Sequence, residues 1–262
     1  MDHDAVHHNL SHQQKSLFLL LDAGVLLMAS GAHTERVKRN LERLATALGY
    51  HIEYLFSLSG ITITLSDARN HSITAFKRIS IYGVQLSTVS AVSRLSWNAL
   101  EQNLSLEDIE QELNRIRNLT HYPKPFVITM LALAGMAFCR IAGGEMLPVL
   151  LAGLATALGF ITRNALLGKG YTLPVCIAVA AFIASGVSGL GIVANMGEHP
   201  EIAVATSVLF LIPGLPMINS TIDLIHGHMT TGQGRAMQSM VISFAIALGI
   251  TLSTACLKGL SL

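Results

Sequence analysis

Five apolar runs, each close to the length of a bilayer-crossing helix, follow one another in the second half of the chain: 125–142, 146–167, 172–194, 201–222 and 236–257. A helix of about 20 apolar residues crosses the ~30 Å hydrocarbon core of a bilayer. Backbone in hydrocarbon must satisfy its own polar groups, which confines such runs to helices. Small residues crowd them, as at Ala152, Gly153, Ala155, Ala157 and Gly159, and again at Ala184, Gly186, Gly189 and Gly191. That composition lets embedded helices approach closely. The pattern predicts a membrane α-helical fold with about five transmembrane helices over 125–262.

Residues 1–124 read differently. They hold most of the charge in a chain that is only 13% charged and 51% hydrophobic, against about 25% charged in ordinary soluble domains. Leu17, Leu20, Leu21, Gly24, Leu27 and Met28 recur at helical spacing over 13–30. A second helix runs from a Thr34 cap to Leu48, with Val37, Leu41, Leu44 and Leu48 as its apolar stripe. Three β-type runs follow, 50–57, 60–66 and 72–79. In the middle one Ile61, Ile63 and Leu65 alternate with Thr62, Thr64 and Ser66, the period of a half-buried strand. Leu58-Ser59-Gly60 and Asp67-Ala68-Arg69-Asn70 suit hairpin turns. Helices over about 83–102 and from a Ser105 cap to about Asn118 complete an N-terminal α+β domain, 1–124. His121 to Pro125 reads as a stiff linker. The polar start, with His3, His7, His8 and His12, reads as a frayed terminus and not as a signal peptide.

The short loops set an orientation. Arg163 and Lys169 lie between the second and third runs, Arg235 between the fourth and fifth, and Arg115, Arg117 and Lys124 ahead of the first. The loop after the third run carries Glu198 and Glu201 and no Lys or Arg. Arg140 and Lys258 oppose the trend but are outnumbered. By positive charges the N-terminal domain is cytoplasmic.

The fourth run is the one that invites function. It is broken by Pro213-Gly214-Leu215-Pro216 and continues to Asn219 and Asp223. Proline removes a backbone donor and disrupts the helical ladder. Broken apolar helices with polar groups at the break build binding sites in transporters. Asn219 and Asp223 are one turn apart and share a face, so Pro213, Gly214, Pro216, Asn219 and Asp223 are expected to form a substrate or gating region. Arg163 and Arg140, in or at the edge of apolar runs, suit a carboxylate, or else anchor to headgroups. Arg235, in a Gly-Gln-Gly-Arg loop, reads as a topology determinant. His226, His228 and Asp223 could be drawn as a metal site, but an i, i+2 histidine pair does not share a helix face, so they read as an interfacial loop. Glu35 and Arg36 read as a solvated helix face.

Other classes fall away. A formal net charge of +1 gives no nucleic-acid footprint. Cys139, Cys176 and Cys256 lie in apolar segments without ligand spacing. No nucleophile, paired-carboxylate or phosphate-loop pattern stands out; Ser57-Leu58-Ser59-Gly60 is explained by a turn. The expectation is a non-enzyme without a cofactor, transport being secondary or driven through a partner. A membrane-anchored sensor or regulatory protein is the reading from another class.

Ser30-Gly31-Ala32 with Glu35, the helix end Ala47-Leu48-Gly49-Tyr50, and the run Ser207 to Ser220 continued by Asp223 and Gly227-His228 resemble the threonine/serine exporter family. The likeness extends over essentially the whole chain. It implies a cytoplasmic domain followed by five spans, and, as this chain stops at Leu262, the split form in which a second small membrane subunit supplies the other half. The family's cargoes include threonine, serine and succinate. The resemblance therefore implies a bacterial inner-membrane exporter subunit for small carboxylates, succinate first and threonine or serine as the alternative. Its partners would be the bilayer, the carboxylate substrate and the second subunit, with homo-oligomerisation left open.

Overall fold

A computed structural model of the chain describes residues 11–79, 83–119 and 122–260. His3, His7 and His8, and His121 of the expected linker, lie outside the described residues. Two compact units form, one from residues up to 120 together with Leu215–Met237, the other from 121–214 and Gln238 onward. By packing, then, the segment around Asn219 and Asp223 goes with the N-terminal residues, although in sequence it follows three apolar helices.

The first unit is built on helices α1 (His12–Ala29) and α2 (Thr34–Ala47), followed by strands β1 (His51–Phe56), β2 (Gly60–Ser66) and β3 (Ser72–Arg78). Ser11 and Gln14 cap α1 reciprocally, which satisfies two of its free N-terminal donors. The strands form an antiparallel meander in the order β1-β2-β3, with Ile63 opposite Tyr54 on one side and Ala75 on the other. The alternation predicted for β2 holds: Ile61, Ile63 and Leu65 are fully buried. Outside, Thr64 meets Thr74 and Ser66 meets Ser72, hydroxyl to hydroxyl, each at 2.8 Å. Val37, Leu41 and Leu44 of α2 complete the core with Leu20, Leu21 and Leu27 of α1.

Helix α3 (Leu86–Gln102) begins three residues later than expected. The amides of Gly83 and Gln85 are already committed to the carbonyls of Ala29 and Ser30, at 2.9 and 3.0 Å, which holds that stretch extended against the end of α1. Helix α4 (Leu106–Arg117) starts at the predicted Ser105, with Asp108 closing a capping box.

The second unit contains α5 (Lys124–Ile141), α6 (Met146–Gly168) and α7 (Leu173–Val193), then a short α8 (Glu201–Ser207) and a 3-10 turn at Leu209–Leu211. Helix α9 (Gly214–Ile225) follows the break, and α10 (Met229–Leu260) runs on as one helix whose later turns pack in the second unit. Among the described residues four helices are long and apolar enough to cross a bilayer, and Glu201–Leu211 with Gly214–Ile225 makes a fifth span only if the bent pair counts as one. In α5 only 11% of the most apolar window is buried, so its leucines and phenylalanines face outward, as they do in lipid and not in water. The fifth helix starts at Met229 and not at 236: residues read as a polar loop are helical.

The break has a definite form. Ile212 is extended, and the carbonyls of Val208, Leu209 and Ile212 accept short-range bonds from Leu211, Ile212 and Gly214. Carbonyls that a proline break deprives of helical partners are thus partly used. Pro213 ends one helix, while Pro216 sits in the first turn of α9, where no donor is required.

Helices in the second unit touch through small residues. A Cβ at Gly249 of α10 would overlap the Ala178 carbonyl of α7 and stand 2.8 Å from Ala181 Cβ. Gly249→Ala is expected to cost about 1–3 kcal/mol through overpacking, read as a lower thermal midpoint in detergent. Gly168→Ala, where nothing lies within 4 Å, should leave the midpoint unchanged.

Candidate functional site

Four chain segments of the first unit meet at a buried ion pair. Asp223 on α9 is fully buried, and its Oδ2 lies 3.1 Å from Nη1 of Arg235 on α10. The same carboxylate takes the backbone N–H of Thr34 on Oδ1 at 2.8 Å and the Thr34 hydroxyl on Oδ2 at 2.9 Å. Thr34 is the first residue of α2, so its amide is one of the donors that a helix leaves unpaired, at the positive end of the helix dipole. Arg235 is turned by a second bond, Nη2 donating to the Ala32 carbonyl at 2.8 Å. Each formal charge is therefore both paired and hydrogen-bonded, the condition under which burial of ions is tolerated.

Around the pair the polar side of α9 is used up. Asn219 Nδ2 donates to the Gly31 carbonyl at 2.8 Å, and Ser220 Oγ to the Gly232 carbonyl at 2.8 Å. Gly31 has φ +91, and a Cβ there would stand 2.9 Å from Leu215 Cδ2; the turn between α1 and α2 demands the conformation that glycine adopts without strain. The opposite side of α9 presents Met217, Ile218 and Ile225 outward, 49–76% exposed. Its amphipathicity is inverted, polar inside and apolar outside.

A second pair lies at the rim. His228 Nε2 stands 3.1 Å from Glu35 Oε2, with Lys38 at 3.9 Å from the same oxygen. Burial alone would raise the Glu35 carboxyl; the His228 bond, with Lys38 and the nearby imidazoles, brings it below its ordinary value. His33, not Thr34, is the N-cap of α2, its Nδ1 accepting from the Arg36 amide at 3.3 Å. Burial holds the His33 imidazole below its ordinary value; Asp223 pulls it up, and Arg39, Arg36 and Arg235 push it down again.

The family described as "Putative threonine/serine exporter" matches residues 19–257, most of the chain. The chain belongs to the threonine/serine exporter family. It is 27% identical to the "Probable succinate transporter subunit YjjP" of Klebsiella aerogenes, over 93% of this chain and 94% of that protein. To the protein of the same name in Escherichia coli it is 26% identical, over 93% and 95%. The "Probable threonine/serine exporter" of Mycobacterium tuberculosis is 21% identical over 92% of this chain but only 46% of its own length. No solved structure matches significantly. As a member of the threonine/serine exporter family with several apolar spans, the chain is a multi-pass membrane transporter protein.

Of the residues expected at the site, Asn219 and Asp223 are brought together, both buried within the first unit. Pro213, Gly214 and Pro216 shape the start of α9. Arg140 and Arg163 belong to the other compact unit: Arg140 Nη1 donates to the Gly144 carbonyl at 3.0 Å, closing the end of its own helix, and Arg163 is half-buried along α6. Arg235, read as a loop charge, is instead the buried partner of Asp223. Thr34 was placed within one residue of its role. His226 Nδ1 donates to the Ile222 carbonyl, His228 faces Glu35, and Asp223 faces Arg235.

Asp223→Ala leaves Arg235 buried without its counter-ion and is expected to lower stability by about 3–5 kcal/mol. Asp223→Ala with Arg235→Ala should lose clearly less than the sum of the two single changes in a double-mutant cycle by denaturant titration. For His33, a depressed folded value means stability that is present above the unfolded value of about 6.5 and lost as pH falls through the folded one. The thermal midpoint should therefore drop between pH 7.5 and 5, and His33→Asn, a cap that does not titrate in this range, should flatten that part of the profile.

Proposed function

We propose that the protein is a subunit of a bacterial inner-membrane exporter of small carboxylates, succinate first among them. It works with a second small membrane subunit, and its N-terminal unit is cytoplasmic. The observation that carries this reading is the extent of the matches. Relatives named as probable succinate transporter subunits are covered over 94% and 95% of their length, the mycobacterial exporter over 46%. The word "subunit" in those names supports a partner, and the positive charges ahead of α5 and between α6 and α7 support the orientation.

The ion pair refines the roles. Asp223 is an anion and would repel an anionic cargo, so it acts in gating. Pro213, Gly214 and Pro216 set the break at which α9 departs, and Asn219 and Asp223 fasten α9 to the start of α2. Opening requires that fastening to yield. Arg140 and Arg163 are the further candidates for contact with a carboxylate along the path. A threonine/serine exporter subunit is the second reading, favoured by the family description.

Efflux of labelled succinate and labelled threonine from a strain lacking endogenous exporters tests both. Succinate efflux is expected when the chain and a second small membrane subunit are expressed together. Asp223→Asn should reduce it severalfold with the protein still in the membrane fraction. Equal succinate efflux with and without the chain would sink the reading, and threonine efflux in its place would select the second.

A further inference from the structure

The first unit holds a pocket of about 230 Å³ between β1 and the turn from α9 to α10, lined in part by Tyr54, Phe56, His228, Thr230 and Thr231. Thr231 on its wall stands one hydroxyl away from the ion pair. Thr231 Oγ1 lies 3.0 Å from the Thr34 hydroxyl, which itself donates to Asp223 Oδ2. Thr231 Oγ1 also donates to the His228 carbonyl at 3.1 Å, so the Thr34 hydroxyl is the link between the pocket wall and the carboxylate.

What surrounds the Asp223 carboxylate is a set of donors only: the Thr34 amide at a helix N-terminus, the Thr34 hydroxyl and the Arg235 guanidinium. Arg235 is itself only 5% exposed and is anchored by the Ala32 carbonyl, so it keeps its place if Asp223 leaves. A backbone N–H, a hydroxyl and a guanidinium fixed about one carboxylate are the recognition chemistry of a carboxylate ligand. Nothing in these contacts reads the rest of the aspartate side chain.

We propose that Thr34 and Arg235 form a receptor for the carboxylate of the exported molecule, entered from the Thr230–Thr231 pocket, and that Asp223 is its internal ligand, displaced when cargo binds. This rests on the reading that the cargo is a small carboxylate. Exchange of one carboxylate for another keeps Arg235 paired, and the displaced Asp223, fully buried in the closed arrangement, must be carried to water by movement of α9. Cargo binding thereby releases α9 from α2, which links occupancy to the gate. The receptor reads the one group that succinate, threonine and serine share; selection among them falls to the pocket.

The test uses the purified full-length protein in detergent, titrated calorimetrically with succinate and, separately, with threonine. Asp223→Asn keeps the side-chain shape and removes the competing charge. It is expected to bind the cargo about tenfold more tightly while efflux falls, a combination that a merely structural role would not produce. Asp223→Asn with Arg235→Gln removes both charges and should lose that gain and more. Thr230→Trp fills the pocket at an exposed position away from the pair, and should abolish binding with an unchanged thermal midpoint; it decides the matter even where the Asp223 variants do not fold. Binding by Asp223→Asn no tighter than wild type, an unweakened double variant, or unaltered binding by Thr230→Trp overturns the receptor. If the wild type neither exports nor binds any carboxylate tested, the export reading itself has failed; if it does both and the variants behave as wild type, only the receptor has.

Discussion

The structure of the first unit depends on how two opposite charges are held out of water. Asp223 and Arg235 are both buried, and neither would be tolerated there alone. Their pairing obliges α9 and α10 to lie together, and the extra bonds from Thr34 and to Ala32 oblige both to lie against the turn between α1 and α2. Gly31 makes that turn tight enough, and Asn219 closes over it. Two regions far apart in sequence, the α1–α2 turn and the α9–α10 pair, are thus placed by one electrostatic requirement, while the apolar core of α1, α2 and β2 supplies the bulk of the burial.

The second unit solves a different problem. Its helices gain little from turning apolar side chains inward when the surroundings are as apolar as they are, so contact relies on close approach and on hydroxyls. Gly135 under Thr156, Gly159 against Ala184, and Gly249 against α7 mark such approaches. Thr156 and Ser188 both bond to Ser207 where α8 gives way to the 3-10 turn, at 3.3 and 3.1 Å. The two units therefore obey different packing rules, and α10, continuous from Met229 to Leu260, takes part in both.

What the sequence made legible follows from how local each signal is. The β2 alternation, the α2 stripe, the Ser105 cap and the break at Pro213 are all written within a few residues, and each is found. Arg235 was not legible, because Gly232 and Gly234 look like a loop by helix propensity. They stand instead in the first turns of α10, where a Cβ would crowd Leu224 and Leu58. The role of Asp223 was half legible: its cost in an apolar run signals importance, but its partners lie 189 residues away at Thr34 and across a turn at Arg235. The Thr34 cap was shifted by one, since His33 offers an unprotonated ring nitrogen as the acceptor, a choice that burial, and not residue preference, decides.

The inverted face of α9 bears on how such a chain is made. A helix with Asn219, Ser220 and Asp223 on one side and Met217, Ile218 and Ile225 on the other has no stable home in water or in lipid by itself. Its polar side is matched by Gly31 and Thr34, which leave the ribosome long before it does. The N-terminal unit is thus a template waiting for the last hairpin, and not a module appended to a finished membrane protein. Chains that emerge without it would carry an aspartate and an arginine whose remaining hydrogen-bond partners, Thr34 and Ala32, are missing.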